Sequence, residues 1–525
     1  MNRWPIRLLI CAGCFLFAHS GECGEPGTEK GLSKETAAPA GLPSIIPDYT
    51  DLVIPPNIAP LNFKLTEAAD EASLRIVPDS GDPIDLKSGD GSFRIPLKAW
   101  KKMLAKNRGR SLAMRIRVKK EGRWREFEPI INRISTEPID PFLAYRLINP
   151  AFSLWSSMGL YQRNLETFEQ KPILINRLTQ HNCMNCHNFR NNDPDCMLMH
   201  LRSGPGSGTL IRWKGEIRKV NTATGFNKAG SYPSWHPDGN IIAFSANSLT
   251  MFFHACGESR DVLDSSSDLV LYLIDKNTIT ADPGIADPNR METFPCWSPD
   301  GRQLYFCAAD QINDSGKGVV YSNIHYDLMR IAYDAATGSW GKPETVLASK
   351  QAGGSITIPR VSPDGRFLLF TLADYGNFPV YLKSADLVLL DLKTGKARRL
   401  ECNSGQTDSF HSWSSNGRWF VFSSKRLDGL CARPFFSYIT RDGAVSKPFL
   451  LPQEDPGFYE TFLKTYNVPE LVRGPIEVNP RTWARTAMGK DVLQAVLDPR
   501  LKSGESRGGA EEPKTESPDL YRRAP

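Results

Sequence analysis

A five-residue turn signature returns four times in this 525-residue chain. It reads Trp235-His236-Pro237-Asp238-Gly239, Trp297-Ser298-Pro299-Asp300-Gly301, Val361-Ser362-Pro363-Asp364-Gly365 and Trp413-Ser414-Ser415-Asn416-Gly417. Each copy is followed by an alternating apolar run, at 241–245, 303–307, 367–371 and 419–423. Pro-Asp-Gly sets a tight turn in which glycine takes the positive φ angle. The Trp before the turn supplies a large apolar surface to bury between sheets. A second repeat runs out of phase with the first, with Asp268, Asp327 and Asp386 each opening an apolar strand at a spacing of 59. Hairpins repeated in this way predict a β-propeller. The turn glycines lie 62, 64 and 52 residues apart, longer than the roughly 40–45 of a minimal blade. Insertions such as 249–267 account for the excess. Four blades are explicit and 208–220 reads as two strands of another, so the expected ring has five or six blades.

The second constraint is chemical. Cys183-Met184-Asn185-Cys186-His187 has the form C-x-x-C-H, the attachment pattern of a c-type haem. Two thiols add across the haem vinyl groups, and the adjacent imidazole serves as an iron ligand. With 11 Cys and 8 His in the chain, chance would produce the pattern about 0.004 times. Half of a zinc site and a redox dithiol are the competing readings. The other C-x-x-C, Cys11 to Cys14, leaves with the expected signal peptide, and no H-x-H pair is present, so nothing in the mature chain completes a zinc site. The expectation is one covalent haem c on Cys183 and Cys186, with His187 as the proximal ligand. Beyond the turn signal Asn191-Asn192-Asp193-Pro194, Met197 and His200 are the candidate distal ligands, against ordinary packing at the haem edge.

The amino terminus fits that chemistry. A basic start, Met1 to Arg7, leads into an apolar run at 8–18, and Ala18-His19-Ser20 offers a cleavage site after Ser20. Covalent haem attachment takes place outside the bacterial cytoplasmic membrane, so export and motif support each other. The expected location is the periplasm or another extracytoplasmic space; Cys14 and Cys23 are weaker candidates for lipid attachment. No later run reaches the ~18 apolar residues of a membrane helix. Removing the signal and haem cysteines leaves seven: Cys23, Cys196, Cys256, Cys296, Cys307, Cys402 and Cys431. An odd number leaves at least one thiol free, and Cys296 with Cys307 could pair across one hairpin.

The remaining segments divide by composition. Residues 21–44 are Gly-, Pro- and Glu-rich, a flexible linker. Residues 45–136 alternate apolar and polar and turn at Gly122, as in a small β-sandwich, with a helix at 97–104. Residues 137–204 form the haem segment, with an amphipathic helix expected at 152–168. The propeller follows at 205–455, a packing extension at 456–502 and a disordered tail at 503–525. The predicted fold is thus mainly β: a propeller preceded by a β-sandwich-like domain and a short helical haem segment.

The turn signature and its strands resemble the TolB-type, WD-like propeller repeat of periplasmic proteins, over about half the chain. A C-x-x-C-H segment ahead of such a propeller is similar to a group of exported bacterial proteins described as TolB-like or cytochrome-c-like. The run Asp193-Pro194…Met197…His200-Leu201-Arg202 also resembles that group, which supports Met197 and His200 as ligands. TolB itself carries no haem, so the resemblance implies the fold more than an activity.

Several function classes drop out. A net charge of +6 spread over 64 basic and 58 acidic residues lacks the basic concentration of a nucleic-acid binder. The one G-x-S-x-G, Gly504 to Gly508, falls in the Gly- and Glu-rich tail and not after an apolar strand run, and no H-E-x-x-H is present. Asp264 and Asp268 read as turn-closing residues rather than a calcium site. The expected role is electron transfer to or from a periplasmic redox or scaffold partner. The alternatives are a haem enzyme of peroxidase type and a partner-binding propeller with a structural haem.

Overall fold

The computed structural model describes residues 41–150, 157–252, 261–312 and 321–501. The expected signal peptide, nearly all of the linker and the carboxy-terminal tail lie outside the described residues.

Six sheets of four or more strands form the ring, antiparallel except for a parallel edge strand in two of them. Their innermost strands are Cys183–Phe189 (blade 1), Ser231–Trp235 (blade 2), Arg290–Trp297 (blade 3), Ser355–Val361 (blade 4), Asp408–Trp413 (blade 5) and Thr465–Val472 (blade 6). Each inner strand packs on the next, and Thr465–Val472 touches both blade 5 and blade 1, so the ring is closed. Closure is made in blade 6. Its inner strand comes from the carboxy-terminal part of the chain and pairs with Phe142–Ile148, followed outward by Gly159–Asn164 and Gln170–Ile175. The short strands Leu493–Gln494 and Val496–Leu497 then add to the outer edges of blades 1 and 2.

The turn signature is a hydrogen-bonded lock. In blade 3, Ser298 Oγ donates to Asp300 Oδ1 (2.6 Å), which also accepts from Arg302 N (3.1 Å), while Gln303 N donates to Ser298 Oγ (2.9 Å). Blades 4 and 5 repeat the set with Ser362 and Asp364, and with Ser414 and Asn416. In blade 2 the imidazole of His236 stands in for serine and accepts from Asp238 N at 3.2 Å. Ser362 is wholly buried. Ser362→Ala strands Phe367 N and should cost about 1–2 kcal/mol in urea unfolding; an unchanged midpoint would show that the lock is dispensable.

The described residues of the insertion at 249–267 extend a strand pair, since Ile241–Phe252 and Asp261–Leu273 pair along their lengths. The amino-terminal domain is two-layered. Ile45–Ile46, Phe63–Leu65 and Ser92–Phe93 form one sheet; Val53–Ile54, Ile130–Ile134, Ser111–Lys120, Glu71–Pro78 and Ile84–Ser88 form the other. The predicted helix spans Leu97–Lys106, and the hairpin at Gly122 is present. This domain shares one continuous apolar cluster with blade 5. Trp419 Nε1 donates to Glu137 O (3.0 Å) and Ser415 N to Asp140 Oδ2 (2.7 Å) across that contact.

Four expectations are corrected. The helix predicted at 152–168 is a strand where described, Gly159–Asn164, because its edges are taken by strands on both sides. A Cβ on Gly159 would come within 3.0 Å of Leu174 O, so the neighbouring strand lies close against it. The haem motif is on a strand rather than a helical segment. The ring begins near residue 142 instead of 205, and the extension at 456–502 supplies an inner strand. Cys296 and Cys307 are not paired; they face Tyr305 and Thr293 in the ladder, and all seven described cysteines are free thiols. No helix among the described residues is long and apolar enough to cross a membrane.

Candidate functional site: the axial channel

Every inner strand carries a register shift, and at each shift one residue turns to positive φ. These are Cys186 (48°), Tyr232 (44°), Phe294 (52°), Ile358 (52°), Phe410 (47°) and Val468 (48°). Left-handed backbone costs a non-glycine residue of order 1–3 kcal/mol. Six repeats of it at one height mean that the ring imposes the conformation, turning each of these side chains toward the axis as a collar. The next residue is Pro233, Pro295, Pro359 or Pro469 in four blades, where a missing N–H suits a bulge. In the other two it is His187 and His411. The second half of C-x-x-C-H therefore occupies a collar position and the position after it.

The collar encloses a cavity of about 40 Å³, walled by Cys186, His187, Tyr232, Phe294, Ile358 and Phe410 with Arg146 and Arg360. His187 is 3% exposed and its Nε2 has no hydrogen-bond partner. Burial, with Arg146 nearby, pushes its imidazole down to about 3, so the ring is neutral. His411 is likewise buried and neutral, but its Nε2 lies 3.0 Å from Leu369 O between blades 4 and 5.

Below the collar, the turn residues Trp235, Trp297 and Trp413 line a funnel of about 390 Å³ with Arg360, Arg473 and Glu470. Arg360 borders both spaces. Burial pushes Glu470 up to about 7, and its carboxylate accepts from Asn188 Nδ2 and Phe189 N, both at 3.3 Å. Toward the other mouth, Asn247 donates to Thr293 Oγ1 (3.2 Å) and to Asp264 Oδ2 (2.5 Å).

Burial pushes Asp264 up to about 7. Its folded pKa lies above the unfolded one, so its contribution is full below about pH 4 and is lost as pH rises toward 7, by up to roughly 1.4 kcal/mol per pH unit. Asp264→Asn should remove that slope. Urea unfolding of both proteins across that range checks it; a constant difference between them would contradict the assignment.

The two expected distal ligands sit elsewhere. Met197 and His200 are on Met197–Arg202, the second strand of blade 1, facing Phe189 and Asn185 in the ladder. Met197 belongs to an apolar cluster with Cys183, Met184 and Trp483. His200 is buried, with Nδ1 3.1 Å from Thr209 Oγ1. Neither lines the cavity. What sequence reasoning missed is the arginines, which reach the motif from blades 4 and 6 and have no local signature.

For a c-type haem the donor chemistry fits: two free thiols, and a buried neutral imidazole with an unpartnered nitrogen. The volume does not fit as the chain packs, since about 40 Å³ holds a few water molecules. Cys183 is packed in the blade cluster while Cys186 faces the channel. Holding a porphyrin here requires the apolar collar to move aside.

With closure and collar in view, the chain is a β-propeller protein of six blades carrying an amino-terminal β domain. No family model matches this chain, and no curated protein matches it. Among solved structures it is similar to the nidogen/laminin complex, at 10% identity and TM-score 0.37, covering 64% of this chain and 99% of that one. It is also similar to the β-propeller domain of the Trilobed protease from Pyrococcus furiosus (9%, TM-score 0.31, 64% and 81%). The Dos1 propeller gives 14% identity and TM-score 0.27, over 45% and 66%.

Proposed function

We propose that this propeller is an exported haem-c protein, with one haem held by Cys183 and Cys186 and His187 as the protein ligand to iron. It would transfer electrons to or from a periplasmic partner. The observation that carries this reading is the unpartnered Nε2 of His187, held buried and neutral beside Cys186. A buried imidazole nitrogen without a partner forfeits about 1–3 kcal/mol of hydrogen bonding, a loss that iron ligation would offset. When bound, haem supplies a one-electron couple. The chain's own part is to keep His187 deprotonated, exclude water with the collar and surround the motif with positive charge.

A second reading is a ligand-binding or peroxidase-type haem centre. One feature favours it: among the described residues no Met and no second His lines the cavity. The spin state decides between the two. Under the electron-transfer reading the purified ferric protein is expected to show a low-spin absorption spectrum, and a high-spin spectrum would favour the second reading. A low-spin spectrum that becomes high-spin in Met197→Ala or His200→Ala would restore those residues as distal ligands and favour electron transfer.

A further inference from the structure

Three arginines converge on the motif strand from three blades: Arg146 from blade 6, Arg202 from blade 1 and Arg360 from blade 4. Arg146 and Arg360 line the cavity beside His187, and Arg202 stands opposite Cys183 in the ladder. None of the three forms an ion pair among the described residues, whereas Arg212, Arg418 and Arg426 each meet an aspartate. Arg146 donates to three neutral acceptors, Met184 O (2.8 Å), Asn185 Oδ1 (2.8 Å) and Asn467 Oδ1 (2.6 Å). Its buried Nε has no partner. Glu470 borders the same funnel as Arg360, and although burial raises its carboxyl, the charge of Arg360 draws it back down, so Glu470 offsets Arg360 in part; Arg146 meets no carboxylate. A guanidinium stays charged throughout, and an uncompensated charge in a low-dielectric channel is unfavourable by several kcal/mol. Convergent like charge in a narrow cleft also concentrates ions of opposite sign.

We propose that the cavity between His187, Arg146 and Arg360 is a binding site for a small monovalent inorganic anion, of the size of azide or nitrite, admitted from the tryptophan funnel past Arg360. Size follows from the cavity of about 40 Å³, room for roughly three non-hydrogen atoms by the volume of water. Sign follows from the two arginines, of which Arg146 bonds neutral acceptors alone and Arg360 is offset only in part. Specificity follows from the narrow collar, whose Phe294, Ile358 and Phe410 leave no room for a larger oxyanion. The site does not depend on haem attachment.

The test uses the full chain produced without haem maturation, titrated with sodium azide and sodium nitrite at constant ionic strength, with sulfate as the size control. Thermal midpoint and calorimetric binding are the readouts. Azide and nitrite should give saturable stabilisation that sulfate does not. Arg146→Gln and Arg360→Gln should each weaken binding about tenfold or more, while Arg108→Gln, at the exposed surface, leaves it unchanged. Should Arg146→Gln fail to fold, Arg360→Gln decides alone. Equal stabilisation by sulfate, unaltered affinity in the folded arginine variants, or anion binding seen only as a spectral shift of haem-loaded protein would each overturn the proposal.

Discussion

Chains matured in an exporting host that attaches haem should weigh more than their amino acids by the mass of one haem, and Cys183→Ser/Cys186→Ser should weigh no more than its polypeptide. The effect is all or none, because each thioether requires a thiol. Either single substitution leaves one link and a chromophore extractable in part. His187→Ala keeps both links and loses the imidazole ligand, so it should retain the mass and change the spectrum. An unmodified wild-type mass would end the redox proposal and leave the six-bladed ring intact. It would also leave the anion site testable, since that site rests on Arg146, Arg360 and the cavity alone.

Trp419→Ala should destabilise the protein by about 3–5 kcal/mol, a large share of the 5–15 kcal/mol that holds a typical domain together. Trp419 is wholly buried. Its ring packs 5.1 Å from that of Tyr438 and 6.3 Å from that of Phe449, and its Nε1 donates to Glu137 O. The residue therefore serves two interfaces, the interior of blade 5 and its seam with the amino-terminal domain. Trp124→Ala, at an exposed position, should change stability by less than about 0.5 kcal/mol. Urea unfolding of the two variants against wild type makes the comparison. If both lose the same amount, the seam does not contribute as described.

The parts of the fold that could be read in advance share a physical cause. The signature at Ser298 to Gly301 is stabilised by its own serine, aspartate and glycine, so it can be recognised without neighbours. The strands after it are apolar and buried almost throughout because both faces of a blade are covered. Blade 6 has no such marker. Its inner strand, Thr465–Val472, pairs with Phe142–Ile148 across more than three hundred residues of chain. Neither segment announces its partner. For the same reason 152–168 read as a helix: Met158, Tyr161 and Leu165 sit at helical spacing, and only the flanking strands fix Gly159–Asn164 as extended.

The candidate site divides in the same way. Cysteines and histidine in C-x-x-C-H define a chemistry by their order alone, whatever the backbone does. That order says nothing of where the second ligand lies, and the nearby Met197 and His200 turned outward with the second strand of blade 1.

By itself the sequence determined the repeated hairpin, hence a ring, and the thiol–imidazole motif, because both depend on residues adjacent in the chain. Only tertiary structure decided that there are six blades closed by a strand from each end, that His187 and Cys186 face a collar of left-handed residues, and that three arginines gather there without an ion pair among the described residues. Those features are set by packing between segments far apart in sequence, where burial and charge act through space and not along the chain.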